Sequence, residues 1–284
     1  MKLDGLILNV APTGVVPTKG MNPHVPVTAA EIAEDTQRCV ALGASIVHLH
    51  ARDEATGQPT HRKEAFARLI GSIREQCPDV VICVSLSGRV ASDVAERTDP
   101  LNLTGDLKPD MASLTLSSMN FSNSASVNSP ETIRRIAEKL AETGIKPELE
   151  VFDSGMINYA RYLGGKQLLQ PPFYFNFILG NIATAQARPA PLGLMMSELP
   201  PDSFWVGGGI GAAQLPMTAM GMLYGNGVRV GLEDCLWLDN RRSIPATNVA
   251  LVRRARELAG LLGQRFASPR EVRVALGLGP APTG

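Results

Sequence analysis

A chain of 284 residues with 44% hydrophobic and 19% charged residues has the composition of a folded globular protein of one large or two small domains. Its 27 lysines and arginines balance its 27 aspartates and glutamates, and no basic cluster of the kind that binds nucleic acid is present. No apolar run approaches the roughly 18 residues of a membrane span, and the first residues lack the features of a signal peptide. We therefore expect a cytoplasmic protein that binds neither nucleic acid nor membranes.

Short apolar, β-branched runs alternate with helical stretches along the whole chain. Eight runs are predicted as strands: Leu6–Val10, Ser45–Ala51, Val80–Leu86, Met111–Leu116, Glu148–Phe152, Phe173–Leu179, Ser203–Gly207 and Val228–Leu232. Between them, Thr28 opens a capping box, and Ser129–Pro130 precedes a helix that Gly144 ends. Helical spacing of apolar residues recurs over Asn248–Leu262, and a last helix is predicted over residues 268–277.

Eight strands alternating with about eight helices over roughly 250 residues is the pattern of a (β/α)8 barrel. A doubly wound parallel sheet is the competing α/β fold, but it usually has fewer strands and a glycine-rich first turn. No linker, repeat of another period or low-complexity segment divides the chain. We therefore predict a single (β/α)8 TIM barrel domain over residues 1–284, with the C-terminal helix 268–277 packed on the barrel.

Polar residues fall on one side of five predicted strands and concentrate toward their C-terminal ends. Because side chains alternate along a strand, one set points into a barrel and the other meets the helices. The set expected to point inward comprises His48, His50, Arg52, Cys83, Ser85, Ser87, Ser113, Thr115, Ser117, Glu148, Glu150, Arg229 and Glu233. Inward polar groups are costly unless they bind one another, a metal or a ligand, and active sites of this fold lie at that end. The pattern favours an enzyme over a scaffold.

A metal site is the first candidate among these residues. His48 and His50 lie on one strand face, roughly 6.5 Å apart along the backbone, which suits two ligands of one ion. Catalytic zinc commonly takes two histidines and a carboxylate and keeps an open position. Glu233 is the best candidate for the carboxylate, since the last strand of a closed barrel lies two strands from the second. Two hydrogen-bonded histidines without a metal are the alternative, and the neighbouring Arg52 and Asp234 favour the metal.

A glycine-rich segment, Gly207–Gly211, follows the seventh predicted strand. Its amides could cradle a phosphate, as loops after the last strands of such barrels often do. A tight turn without a ligand explains the same glycines, so the segment alone does not decide between the two.

Several segments together resemble the β-keto acid cleavage enzymes. They are Ile46–Asp53, Pro109–Leu114, Pro147–Phe152, Pro172–Gly180 and Val228–Asp234. The resemblance runs in order from about Leu8 to the end of the chain. It implies a zinc-dependent (β/α)8 barrel, a homotetramer in the family's pattern, that converts a β-keto acid and acetyl-CoA into acetoacetate and the CoA thioester of the remaining acyl group.

The resemblance also implies roles for single residues. His48, His50 and Glu233 match the family's zinc ligands, with one ion per subunit. Arg229 and Asp234 match its catalytic pair, in which the carboxylate takes a proton from the carbon between carboxyl and ketone. Positions that match substrate contacts are Ser85, Ser113 and Glu150. The chemistry agrees with these roles, because Zn2+ is a Lewis acid suited to stabilising an enolate and a guanidinium keeps an aspartate ionised and oriented.

Val16 marks a departure from the members that cleave an amino-substituted keto acid, which have a glutamate after the first strand. An ammonium group would be unpaired beside Val16. We therefore expect Val16 to contact a substrate whose side chain is neutral or apolar. Gly227 and Cys235 also stand where many relatives have histidine and asparagine.

Three other functions stay open at this stage. A metal-dependent hydrolase of the amidohydrolase type also uses two histidines one residue apart, but at the end of the first strand. A zinc aldolase also forms an enolate, yet it needs no acetyl-CoA. A metal-binding barrel without catalysis is the third, and Arg229 and Asp234 argue against it, since neither is needed to hold zinc.

Overall fold

The computed structural model describes residues 3–281, which form a closed barrel of eight parallel strands. The strands are β1 (Ile7–Val10), β2 (Ile46–Leu49), β3 (Val81–Val84), β4 (Met111–Thr115), β5 (Lys146–Val151), β6 (Phe173–Leu179), β7 (Ser203–Gly209) and β8 (Gly227–Val230). The ring closes at β1, where Asn9 lies opposite Ile46 of β2 and Arg229 of β8. The predicted (β/α)8 fold class is confirmed.

Helices follow the strands, and α1 and α4 begin at the predicted capping residues Thr28 and Ser129. Their bounds are α1 (Ala29–Ala41), α2 (Lys63–Gln76), α3 (Val94–Arg97), α4 (Pro130–Thr143), α5 (Ser154–Gly165), α6 (Pro189–Ser197), α7 (Gln214–Tyr224), α8 (Asn248–Leu261) and α9 (Pro269–Leu276). The Thr28 hydroxyl accepts from the Glu31 amide at 3.2 Å, and the Glu31 carboxylate accepts from the Thr28 amide at 3.1 Å. Gly144 ends α4 in the left-handed conformation, with φ of 62°. Within residues 3–281, every helix is too short or too polar to cross a membrane.

The strands bury apolar side chains on both of their faces at the N-terminal half of the barrel. Outward residues such as Val47 and Ile82 pack under the helices. Inward residues form a separate cluster with α9: Ile7, Ile46, Val81, Met111, Val272, Ala275 and Leu276. Since α9 belongs to this interior cluster, it covers the N-terminal end of the barrel, and the opposite end is left for polar groups.

The last strand ends earlier than its apolar pattern predicts. The pattern continues to Leu232, but β8 ends at Val230. Gly231 has φ of 154°, and a Cβ there would lie 2.0 Å from the carbonyl oxygen of Ala11, so the chain turns where only glycine fits. Glu233 therefore lies in the loop after β8 rather than on the strand.

Two short antiparallel pairs extend the C-terminal end of the barrel. Ala51–Arg52 pairs with Pro59–Thr60, and Met119–Asn120 pairs with Ala125–Ser126. Strands of two residues are too short for alternation to predict them. The second pair contributes part of the wall of the cavity described below.

Candidate active site

Two histidines and a carboxylate converge at the C-terminal end of the barrel. Nε2 of His50 lies 3.1 Å from Oε1 of Glu233, and Nε2 of His48 lies 3.9 Å from Oε2 of Glu233. The three side chains offer ligand atoms within 4.8 Å of one another. Among the described residues, the buried His48 Nε2 and Glu233 Oε2 have no hydrogen-bond partner. Unpaired buried polar atoms are costly, and a divalent cation such as Zn2+, which favours this donor set, would satisfy both.

Glu148 holds the His48 ring in place from beneath. Nδ1 of His48 donates to Oε2 of Glu148 at 2.6 Å, and the amide groups of Asn9 and Asn176 donate to Oε1 at 2.8 Å and 3.3 Å. Burial raises the pKa of Glu148, but the hydrogen bond from His48 and the charge of Arg229 act against burial, and the pKa is lowered overall, so Glu148 stays ionised. With its Nδ1 proton held by this carboxylate, His48 presents Nε2 as the ligand atom.

Arg229 and Asp234 form a buried ion pair beside the candidate metal ligands. Nε of Arg229 donates to Oδ2 of Asp234 at 2.8 Å, and Nη2 donates to Oδ1 at 3.3 Å. Nη2 also lies 3.0 Å from Oε1 of Glu233. Burial raises the pKa of Asp234 although Arg229 acts to lower it. The result is an oriented carboxylate that is more basic than an exposed aspartate.

An open cavity adjoins these groups, and three of the four predicted substrate contacts line it. Val16 stands in the loop after β1 and is 45% exposed, and Ser85 follows β3. Oε2 of Glu150 in β5 accepts from the Thr115 hydroxyl at 2.7 Å, and Oε1 of Glu150 lies 3.8 Å from Nη1 of Arg229. The apolar part of the wall consists of Val15, Val16, Pro17, Met119, Phe121, Phe152, Ile178 and Ile210.

Ser113 is the predicted contact that the structure does not bring to this cavity. Its side chain is buried in β4, and its hydroxyl accepts from the Leu86 amide at 3.0 Å. In this structure Ser113 supports the segment that begins at Ser85 instead of lining the cavity itself.

Arg52 binds backbone carbonyls rather than a carboxylate. Its Nη2 donates to the carbonyl oxygens of Gly14 and Pro17, both at 2.7 Å. These bonds fix the loop after β1, where a Cβ on Gly14 would lie 2.6 Å from Cγ of Glu233. The sequence alone did not single out Gly14, since contacts between loops leave no periodic signal.

Glu148, Thr115 and Arg89 are further site residues that the sequence did not single out. Glu148 and Thr115 belong to the predicted inward set, but alternation does not tell which partner an inward residue meets. Arg89 lies in a loop, where the alternation of strand side chains makes no prediction, and it lines the cavity.

The glycine-rich segment serves packing. A Cβ at Gly207 or Gly209 would lie 2.6 Å or 2.3 Å from backbone oxygens within α7 or just before it. The Gly211 amide donates to the Asp234 carbonyl at 2.7 Å. These glycines allow α7 to approach β7, and this amide is already used, so the structure does not support a phosphate cradle here.

Comparison with known proteins identifies the family. Residues 5–278 match the sequence model of the beta-keto acid cleavage enzyme. The chain is 40% identical to the 3-keto-5-aminohexanoate cleavage enzyme of Fusobacterium nucleatum, over 97% of this chain and 99% of that protein. It is 35% identical to the 3-oxoadipate:acetyl-CoA acetyltransferase of Cupriavidus necator, over 96% and 94% of the two chains.

Two more similarities complete the comparison. The 3,5-dioxohexanoate:acetyl-CoA acetone transferase of Paraburkholderia graminis is 30% identical, over 96% of both chains. The ternary complex of ObcA with a C4-CoA adduct and oxalate superposes with a TM-score of 0.71 at 20% identity, over 90% of this chain and 68% of that one, which shows the shared barrel fold. The family match and the curated relatives confirm the resemblance and the expectation of an enzyme: the chain belongs to the beta-keto acid cleavage enzyme family.

Proposed function

We propose that this protein is a zinc-dependent enzyme that converts a β-keto acid and acetyl-CoA into acetoacetate and the CoA thioester of the remaining acyl group. The observation that carries the proposal is the pair of buried, unpartnered atoms His48 Nε2 and Glu233 Oε2 next to the Arg229–Asp234 ion pair. A barrel that only stored a metal would have no use for that ion pair. The names of the Cupriavidus and Paraburkholderia relatives both include acetyl-CoA, which supports it as the co-substrate.

We assign one Zn2+ per subunit to His48, His50 and Glu233. When bound there, Zn2+ supplies a Lewis acid that stabilises negative charge on a carbonyl oxygen. Burial lowers the pKa of His50, which keeps its imidazole in the neutral form that binds metals. Glu148 orients His48 through its Nδ1 proton.

Asp234 is the base in this proposal. Arg229 directs its carboxylate through two hydrogen bonds, and Asp234 takes the proton from the carbon between the carboxylate and the ketone. The carbanion then attacks the thioester carbonyl of acetyl-CoA, and the carbon–sulfur bond breaks to release the CoA thiolate. The thiolate attacks the original ketone carbon, and the bond between that carbon and the central carbon breaks to give acyl-CoA. The central carbon takes back the proton held by Asp234, so acetoacetate is released and no water is consumed.

Ser85 and Glu150 contact the substrate in this account, and Val16 faces its side chain. Val16 offers no charge, and the nearby wall includes Phe121, Phe152 and Ile210. A side-chain ammonium would be desolvated there without an anionic partner from Val16. We therefore propose a substrate with a neutral or apolar side chain.

The test is a panel of β-keto acids with apolar, polar and cationic side chains, given to the zinc-loaded protein with and without acetyl-CoA. We expect acetoacetate and acyl-CoA only when acetyl-CoA and the metal are both present, with the fastest turnover for apolar side chains. Products that form equally well without acetyl-CoA would indicate a hydrolase or an aldolase. Faster turnover of a cationic keto acid would contradict the role given to Val16.

A further inference from the structure

The cavity contains an arginine that the proposed reaction has not used. Arg89 follows β3 and lines the same cavity as Glu150 and Asp234. Its guanidinium carbon lies 4.2 Å from the centroid of the Phe121 ring, and its Nη2 donates to the Ser124 hydroxyl at 3.0 Å. The stacked ring and the hydrogen bond together restrict the plane of the guanidinium.

Within residues 3–281, Arg89 has no carboxylate partner in ion-pair range, and its Nε is buried without a hydrogen-bond acceptor. The other arginine that lines the cavity, Arg229, is already paired with Asp234 and Glu233. Arg89 is therefore the lining arginine whose charge the described part of the protein leaves uncompensated.

The substrate supplies the missing anion. Every β-keto acid carries a carboxylate at C1, and this one must enter a cavity lined by the acidic residues Glu150, Glu233 and Asp234. The proposed Zn2+ and Arg229 supply three positive charges against the four carboxylates of Glu148, Glu150, Glu233 and Asp234, so repulsion of a substrate anion is not fully compensated without a further cation. A guanidinium held in one plane presents two parallel N–H groups, the geometry that a carboxylate accepts best.

We propose that Arg89 binds the C1 carboxylate of the β-keto acid and so determines that the substrate is an acid. This inference rests on the proposed function. It assigns the carboxylate to Arg89 and leaves proton transfer to Asp234, so the loss of Arg89 weakens binding of the keto acid more than it slows the chemical step.

Binding without turnover tests the inference. Acetoacetate, itself a β-keto acid, and its uncharged methyl ester are titrated calorimetrically into the zinc-loaded protein without acetyl-CoA. The variants are Arg89→Gln and Arg89→Lys, and the control is Arg188→Gln, which removes an exposed arginine before α6 that forms no ion pair with the described residues. Zinc content and thermal unfolding verify that each variant is folded and loaded.

We expect Arg89→Gln to weaken acetoacetate binding by about 10- to 100-fold, the value of a charge-assisted hydrogen bond to a carboxylate. Arg89→Lys should lose less, while Arg188→Gln and the affinity for the methyl ester should be unchanged. Equal acetoacetate affinity of wild type and Arg89→Gln, or no acetoacetate binding to the wild type, overturns the inference.

Steady-state kinetics then show which anionic group Arg89 binds. Arg89→Gln should raise the KM for a monocarboxylic keto acid and leave the KM for acetyl-CoA unchanged. A rise in the KM for acetyl-CoA alone would mean that Arg89 contacts CoA. An increase in KM restricted to 3-oxoadipate would mean that Arg89 binds the second carboxylate of that substrate. Either result overturns the assignment of Arg89 to the C1 carboxylate. If the wild type forms no acetoacetate, the proposed function fails, and the calorimetry still decides the role of Arg89.

Discussion

Gly14 sets the position that the Glu233 side chain can adopt. A Cβ on Gly14 would lie 2.6 Å from Cγ of Glu233, closer than two carbon atoms can pack, and 3.2 Å from its Cδ. Gly14→Ala should therefore displace the carboxylate from His48 and His50 and weaken zinc binding by about 10- to 100-fold, as other changes around metal ligands do.

Competition with a chelator of known affinity measures that change. The matched control is Gly260→Ala in α8, where an added Cβ has nothing within 4 Å. Unchanged zinc affinity of Gly14→Ala would show that the loop after β1 yields and that Glu233 does not depend on it.

A substitution of Asp234 tests catalysis separately from zinc binding. Asp234→Asn keeps the size of the side chain but removes the base, so we expect normal zinc content and a loss in turnover of about 10²- to 10⁴-fold. The control Asp202→Asn changes an exposed aspartate whose φ of 56° asparagine also tolerates. Full activity of Asp234→Asn would remove Asp234 from the role of base.

We predicted that His48 and His50 lie next to Glu233 from the alternation of side chains along β2 and from the family resemblance. Alternation determines which side chains of a strand share a face. Alternation also placed Glu148 inside, but it could not predict that Glu148 accepts the Nδ1 proton of His48, since that contact joins residues 100 positions apart.

At the scale of elements, the segment Ser85–Arg89 after β3 depends on two buried side chains, His61 and Arg97. His61 Nε2 donates to the Ser87 carbonyl at 3.0 Å, and Arg97 Nε donates to the Leu86 carbonyl at 2.9 Å. Arg97 also donates to Oδ1 of Asn128 at 2.8 Å, so it joins the segments that follow β3 and β4. No pattern in the sequence predicts these bonds, because contacts between loops have no period.

His61 makes this segment sensitive to pH. Burial lowers the pKa of His61 to about 4, the hydrogen bond to the Ser87 carbonyl opposes this shift, and the charge of Arg97 acts in the same direction as burial. The unfolded chain binds a proton at His61 below pH of about 6.5, whereas the folded chain does not until about pH 4, so the free energy of unfolding decreases as the pH falls between these values. The part due to His61 amounts to about 2 kcal/mol between pH 7 and pH 5.

Urea unfolding of wild type and His61→Gln at pH 7 and pH 5 measures that part. Glutamine can still donate to the Ser87 carbonyl but does not titrate, so His61→Gln should lose less stability on acidification. His24→Gln, at an exposed loop position, should behave like the wild type. The same pH dependence in wild type and His61→Gln would contradict the role given to burial.

For the whole molecule, closure of the barrel creates the site. β1 pairs with both β2 and β8, so His48 and His50 meet Glu233 and Arg229 across a single strand although 183 positions separate His50 from Glu233. The count of eight strands predicted this closure. It could not predict where β8 ends, because the turn at Gly231 depends on the approach of Ala11 rather than on hydropathy.

The central claim is that the acetyl group of acetyl-CoA becomes part of acetoacetate while the substrate's acyl group moves to CoA. We would incubate the zinc-loaded protein with acetyl-CoA labelled with 13C in its acetyl group and with an unlabelled apolar β-keto acid, and locate the label by NMR. The account predicts label in the methyl and ketone carbons of acetoacetate and an unlabelled acyl-CoA. Labelled acetate, or label that stays in acetyl-CoA while the keto acid is consumed, would contradict it.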